Sequence, residues 1–193
     1  MSDFYNHNFR EYHKKTFSVD MSSVLIPLVR RLDSKKACML DVGCGSGRDL
    51  LWFKQQGFQV TGFERSPGLA ELARKNVGCE VIADDFELYD FTNLSVDAIL
   101  LMGSVVHVPH EKFEQIFQNI MQALKIKGYV LISLKEGRGK RTDNYGRVFY
   151  LWQDETLRKI FSDNRFSVLE YFRQTSKIGT DEIWVAYILE KAD

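Results

Sequence analysis

The stretch Leu40-Asp41-Val42-Gly43-Cys44-Gly45-Ser46-Gly47-Arg48-Asp49 decides the fold. The apolar run from Ala37 to Val42 reads as a buried strand, and Asp49-Leu50-Leu51-Trp52-Phe53 opens a helix. Glycine stands at alternate positions between them. That spacing makes a tight turn, brings bare backbone against a ligand and aims helix N–H groups at it. A dinucleotide fingerprint reads G-x-G-x-x-G, whereas the pattern here is G-x-G-x-G with Arg48 where the last glycine would fall. No Gly-Lys-Ser/Thr follows, so the turn is not a P-loop either.

Downstream, Phe58-Gln59-Val60-Thr61-Gly62-Phe63 reads as a second strand ending in Glu64. An acid about 20 residues beyond the first glycine is where a Rossmann-type sheet places its acceptor for ribose hydroxyls. Each such charge-assisted hydrogen bond is worth about 1.5–3 kcal/mol. Ser66-Pro67 reads as an N-cap and first-turn proline of the next helix. The spacing predicts strands over 37–42, 58–63, 79–83, 96–102 and 129–135, alternating with helices. Phe113, Ile116, Phe117, Ile120, Met121 and Leu124 recur at helical spacing, and Lys125-Ile126-Lys127-Gly128 ends that helix. Past Leu134 the order changes: a helix over Thr156–Asp163, then strands over Phe166–Gln174 and Glu182–Glu190. Their short connection suits an antiparallel pair.

On these residues the chain resembles the class I S-adenosylmethionine (SAM)-dependent methyltransferases, from about residue 5 to the C-terminus. LDVGCGSGRD resembles the family's first motif almost letter for letter, and Glu64 falls on its ribose-binding acid. Asp85-Phe86 resembles the adenine-binding segment, and Val96 to Met102 the fourth strand. Ala123 to Ile132 resembles the helix-turn-strand usually written L-K-P-G-G, with isoleucine and lysine in place of the proline and first glycine. The resemblance implies an α/β fold: a Rossmann-like doubly wound sheet of seven strands, order 3-2-1-4-5-7-6, with strand 7 antiparallel. It implies SAM as cofactor and S-adenosylhomocysteine as product. Tyr12, Asp41, Gly43, Cys44, Gly45, Gly47, Arg48, Glu64, Arg65, Asp85, Phe86, Met102, Gly103 and His107 would then line the cofactor. Arg48 is the expected partner of the cofactor carboxylate, and Cys44 is a small filler, although a thiol beside a helix N-terminus also has a reactive reading. Tyr5 and Tyr12 resemble a tyrosine pair that closes over SAM, and His107 points towards the substrate as the one candidate base.

Composition sets the outer bounds. The 193 residues, 45% apolar, suit a single domain over 1–193, with 1–36 expected as a helical cap over the ligand. Equal numbers of basic and acidic residues, 26 of each, give no overall basic field for a phosphate backbone. No apolar run is long enough to span a membrane, and the first residues have no signal-peptide pattern. Cys38, Cys44 and Cys79 lack C-x-x-C spacing, so reduced thiols and a cytoplasmic location are expected. His107-x-x-His110 could begin a metal site, but no further cluster supplies a third ligand and no metal is expected. Lys135 to Arg147 forms a glycine-bearing basic loop after the fifth strand, whose Arg138, Arg141, Tyr145 and Arg147, with Tyr5, are expected to face an anionic substrate. The reading is methyl transfer to oxygen, nitrogen or sulfur of a small molecule, by a monomer or homodimer. A tRNA-modifying methyltransferase and a catalytically silent SAM-binding partner subunit are the alternatives; a nicotinamide oxidoreductase fits the glycine spacing poorly.

Overall fold

A computed structural model describes residues 4–32 and 36–193. Positions 1–3 and 33–35 of the expected N-terminal cap lie outside the described residues. The elements run α1 (Phe4–Thr16), α2 (Ser22–Val29), β1 (Cys38–Val42), α3 (Arg48–Gln55), β2 (Gln59–Phe63), α4 (Pro67–Val77), β3 (Val81–Ile82), β4 (Val96–Met102), α5 (His110–Ile120), β5 (Leu124–Lys135), β6 (Lys140–Thr142), β7 (Val148–Tyr150), α6 (Asp154–Asp163), β8 (Phe166–Thr175) and β9 (Ile183–Lys191).

Seven strands form one sheet in the order β3-β2-β1-β4-β5-β9-β8. Only β9 runs against its neighbours, pairing antiparallel with both β5 and β8. Counted within that sheet, this is the predicted order 3-2-1-4-5-7-6 with strand 7 reversed. Side chains alternate across the central strands. Met39, Ala98, Leu100 and Leu131 pack with α2 and Phe53 of α3 on one face, while Leu40, Ile99, Leu101, Val130 and Ile132 pack with α5 and α6 on the other. Burial on both faces is why these strands read as continuous apolar runs.

The structure differs from the sequence expectation in four places. The helix before β5 stops at Ile120 and tightens through a 3-10 turn, Met121–Ala123, so Leu124 already belongs to the strand. Lys125 to Gly128 is therefore an irregularity inside β5, where the β4 pairing jumps from Val96↔Leu124 to Ala98↔Tyr129. Ser66 occupies the N-cap of α4 without capping it, because its Oγ donates to the Tyr5 carbonyl instead. The basic loop folds part of itself into the hairpin β6–β7. The 1–36 segment divides: α1 crosses the glycine turn, whereas α2 buries Val24, Leu25 and Leu28 against the sheet.

Candidate active site

The parallel strands end at one edge, and there the chain reverses order between β1 and β4, the position at which open α/β sheets bind ligands. Glu64, at the end of β2, is only 8% exposed. Its Oε2 accepts from the Gly45 N–H at 2.9 Å and its Oε1 from the Ser66 N–H at 2.8 Å. Burial pushes its carboxyl above the usual range, against the pull of those N–H donors. A carboxylate has about four acceptor positions, so each oxygen keeps capacity for a further donor.

The turn's glycines have different neighbours. A Cβ on Gly43 would stand 2.3 Å from Ser104 Cβ, and one on Gly47 would stand 2.6 Å from Val77 Cγ2. Close packing against the β4 loop and against α4 demands those two. A Cβ on Gly45 would meet only Tyr12, at 3.6 Å. Gly45 therefore presents bare backbone to the space under α1.

Around this turn, Asp41 is buried at 2% exposure, and burial, with Asp49 as the next cause, pushes its carboxyl well up. Arg48 grips Asp49 through Nε and Nη2, at 2.8 and 2.7 Å, which leaves Nη1 with one long contact to the Thr16 carbonyl. Burial pushes the Cys44 thiol well above its ordinary value, which removes the reactive reading. Arg65 donates to Asp85 Oδ2 at 3.1 Å, and Asp85 Oδ1 accepts the Glu87 N–H. Phe86 departs from the expected lining: it is 5% exposed and packs in the core with Phe63 and Phe91.

A cavity of about 610 Å³ opens beyond the ends of β4, β5 and β9. Tyr5, Tyr12, Arg48, Met102, Gly103, Arg141, Tyr145 and Arg147 line it; Arg138, His107, the glycine turn with Asp41 and Glu64, and the group Arg65, Asp85 and Phe86 do not. His107 stands behind Tyr5. Its Nδ1 lies 2.6 Å from the Val148 carbonyl, which only accepts, so Nδ1 carries the proton. Nε2 is then the acceptor for the Tyr5 hydroxyl at 2.9 Å. Burial, then Arg147 and Lys135, hold the imidazole below its ordinary value and keep it neutral. Arg147 donates to Asp143 Oδ2 and, at 3.4 Å, to the Tyr5 oxygen. His110 donates to the Leu151 carbonyl, and among the described residues no group of three or more potential metal ligands occurs.

The far wall starts from Lys135, the first residue of the basic loop, and its partner Glu182 is the part that sequence did not announce. Lys135, 5% exposed, pairs with Glu182 and lies 3.5 Å from the Phe149 ring centroid. The one available signal was a lysine closing an otherwise apolar strand.

A methyltransferase-domain family model matches residues 39–128, which span β1 to the irregular start of β5. Over those residues, a little under half of the chain, the sequence is similar to a methyltransferase domain. Methyltransferase GfsG of Streptomyces halstedii is 32% identical over 125 residues, 60% of this chain and 44% of that protein. The sterol 4-C-methyltransferase strm-1 of Caenorhabditis elegans is 25% identical over 61% of this chain and 38% of its own length. The chain thus spans less than half of either curated relative. Among solved structures, the 1,6-didemethyltoxoflavin-N1-methyltransferase of Burkholderia thailandensis superposes with a TM-score of 0.78 at 21% identity, covering 98% of this chain and 84% of that one. Magnesium protoporphyrin IX methyltransferase of Synechocystis gives 0.79 at 15% identity, covering 98% and 94%. These likenesses establish the fold.

Proposed function

We propose that the chain transfers the methyl group of SAM to an oxygen, nitrogen or sulfur of a small, anionic acceptor. One observation carries the reading: Glu64 and the bare edge of Gly45 converge under Tyr12, with acceptor capacity left on the carboxylate. These groups fit an adenosyl amino acid. Glu64 would take the ribose hydroxyls and Asp85 the adenine amino group. The backbone of the 43–47 turn, with Asp41 and Arg48, would face the amino-acid end, and Met102 and Gly103 the sulfur. The Burkholderia and Synechocystis neighbours were solved with S-adenosylhomocysteine and SAM bound. A cavity of about 610 Å³ suits a small acceptor. The three free thiols support a reducing compartment such as the cytoplasm.

SAM, when bound, supplies a methyl group on a positively charged sulfur that needs no activating acid. The chain must then align the acceptor, exclude water and, for a protonated acceptor, remove a proton. Tyr5 and His107 are placed for the last task. The Tyr5 oxygen faces the cavity and takes the acceptor's proton while its own passes to His107 Nε2. The Val148 carbonyl fixes the tautomer that leaves Nε2 free to receive it. Calorimetry with SAM, S-adenosylhomocysteine and NAD tests the reading. The first two are expected to bind and NAD to give no heat; binding of NAD alone would overturn it. Labelled SAM offered to an acceptor panel then identifies the atom methylated.

A further inference from the structure

We propose that the acceptor is a flat aromatic acid, whose single anionic group is held by Lys135 and Arg141 against the aromatic wall of Phe149 and Trp184. This deepens the methyltransferase reading and rests on it.

Of the six cations that line the cavity, two are paired with acids, one donates to neutral oxygens and one, Lys15, is exposed. Arg147 is paired with Asp143, Arg48 with Asp49, and Lys177 donates to the Asp20 carbonyl and the Ser23 hydroxyl. Lys135 and Arg141 differ, because both converge on one carboxylate. Lys135 Nζ bonds Glu182 Oε1, and Arg141 Nη1 stands 3.8 Å from the same oxygen. Thr180 donates to the other oxygen at 3.0 Å. Two positive charges thus share one negative charge, and the only other acid at this wall, Asp181, sits exposed at the rim.

Of the two cations, the buried one is Lys135, whereas the Arg141 side chain stays largely in solvent. Lys135 is 5% exposed, with its ammonium 3.5 Å from the Phe149 centroid and 5.3 Å from that of Trp184. Ser133, 6% exposed, adds a hydroxyl beside them. Burial holds Lys135 below its ordinary value despite Glu182, the direction that a further anion beside it would oppose. The walls select what brings that anion. Trp184 and Tyr145 line the cavity, Phe149 backs the Lys135 ammonium at 6% exposure, and the β5–β9 register places Lys135 opposite Trp184, fixing cation and ring side by side. A planar ring with one carboxylate or comparable acidic oxygen satisfies both features.

The test uses the full chain saturated with S-adenosylhomocysteine. Saturation-transfer NMR is run with a panel of flat aromatic carboxylates and the carboxamides of the same rings, and dissociation constants are taken for those that bind. Carboxylates are expected to dominate the binders. Lys135→Met and Arg141→Gln should each weaken them about tenfold or more, the scale of one charge-assisted contact. Glu182→Gln should act in the opposite direction, because it frees both cations, and tighten carboxylate binding severalfold with the carboxamides unmoved. Arg141, whose side chain is 64% exposed, keeps the test readable if Lys135→Met does not fold. Equal binding of carboxamides, no binder of either kind, or a Glu182→Gln chain that binds carboxylates no better would overturn the proposal. Failure to bind S-adenosylhomocysteine in the first place would instead remove the methyltransferase reading beneath it.

Discussion

Glu64 does two jobs, since it caps the backbone of the glycine turn before any ligand arrives. Glu64→Ala should weaken SAM binding tenfold or more, consistent with about 1.5–3 kcal/mol per charge-assisted contact. It should also lower the melting temperature, because the Gly45 and Ser66 N–H groups lose their acceptor. Calorimetry and thermal unfolding read the two effects separately; unchanged affinity would remove the ribose assignment. Tyr5 and His107 make a second residue-scale case. His107 is held below its ordinary value of 6.5, so its base form is populated at neutral pH and is lost only in acid. A pH–rate profile of kcat should rise through a midpoint below that value and then level off. Tyr5→Phe should cut kcat about a hundredfold or more, the low end for a placed acid–base group. His107→Gln should remove the acid limb. A Tyr5→Phe chain with undiminished kcat would leave the pair a mere latch. The sequence made Glu64 legible because a strand end, a spacing and a residue type coincide there. It placed His107 on the wrong side of Tyr5, because which way a side chain leaves a 3-10 turn depends on Val148, 41 residues away.

At the scale of elements, α1 is the piece held most lightly. None of its residues is fully buried, yet it brings Tyr5 and Tyr12 to the cavity and sets Phe9 on α4. The joint is Gly68, where a Cβ would stand 2.7 Å from the Phe9 ring. Alanine for glycine in a helix is normally favourable by up to about 1 kcal/mol. Gly68→Ala should nevertheless lower SAM affinity by pushing α1 off the turn, while thermal unfolding of the sheet moves little. Limited proteolysis should cut α1 faster in the variant; equal cleavage and affinity would show that α1 seats elsewhere. The irregular start of β5 gives a contrasting case. Lys127 adopts φ 59°, the left-handed region, at the position where the resemblance expects glycine. A non-glycine residue there costs about 1–2 kcal/mol, partly offset by the greater unfolded freedom of glycine. Lys127→Gly should therefore raise stability by about 0.5–1 kcal/mol in denaturant unfolding, the exposed Lys127–Asp193 pair contributing little. A loss of stability would contradict this. Apolar periodicity revealed each sheet strand within a few residues, but not the 3-10 turn before β5, whose helical spacing runs unbroken into Leu124.

For the molecule as a whole, apolar pattern was the readable part and charge pairing the unreadable part. Alternation and a short connection, which are local properties of the chain, pointed to a parallel sheet closed by an antiparallel pair, whereas the strand order came from the family resemblance. The ion pairs that shape the cavity join residues such as Lys135 and Glu182, 47 positions apart, and no spacing announces them. Those pairings set how stability depends on pH. Asp41 and Glu64 titrate above their ordinary carboxylate values because they are buried. The folded state keeps their protons longer than the unfolded state, so their contribution is full in acid and declines as pH rises through the raised values. His107 has the opposite slope: lowered by burial, it favours folding above its ordinary 6.5 and loses that contribution as pH falls. Asp143 and Glu182 are held low by Arg147 and Lys135 despite burial, and their contribution is lost only below the ordinary carboxylate range. Melting temperature should therefore fall on the acid side as His107 and then the paired carboxylates protonate, and fall on the other side as pH rises through the raised values of Asp41 and Glu64. Asp41→Asn removes one of the two groups responsible for that second fall. Thermal unfolding from about pH 4 to 9 should show that side flattened in the variant and the acid side unchanged. A wild-type curve that keeps climbing to the alkaline end of that range, or a variant that falls as steeply, would mean that Asp41 is ionised in the folded chain and balanced by Arg48.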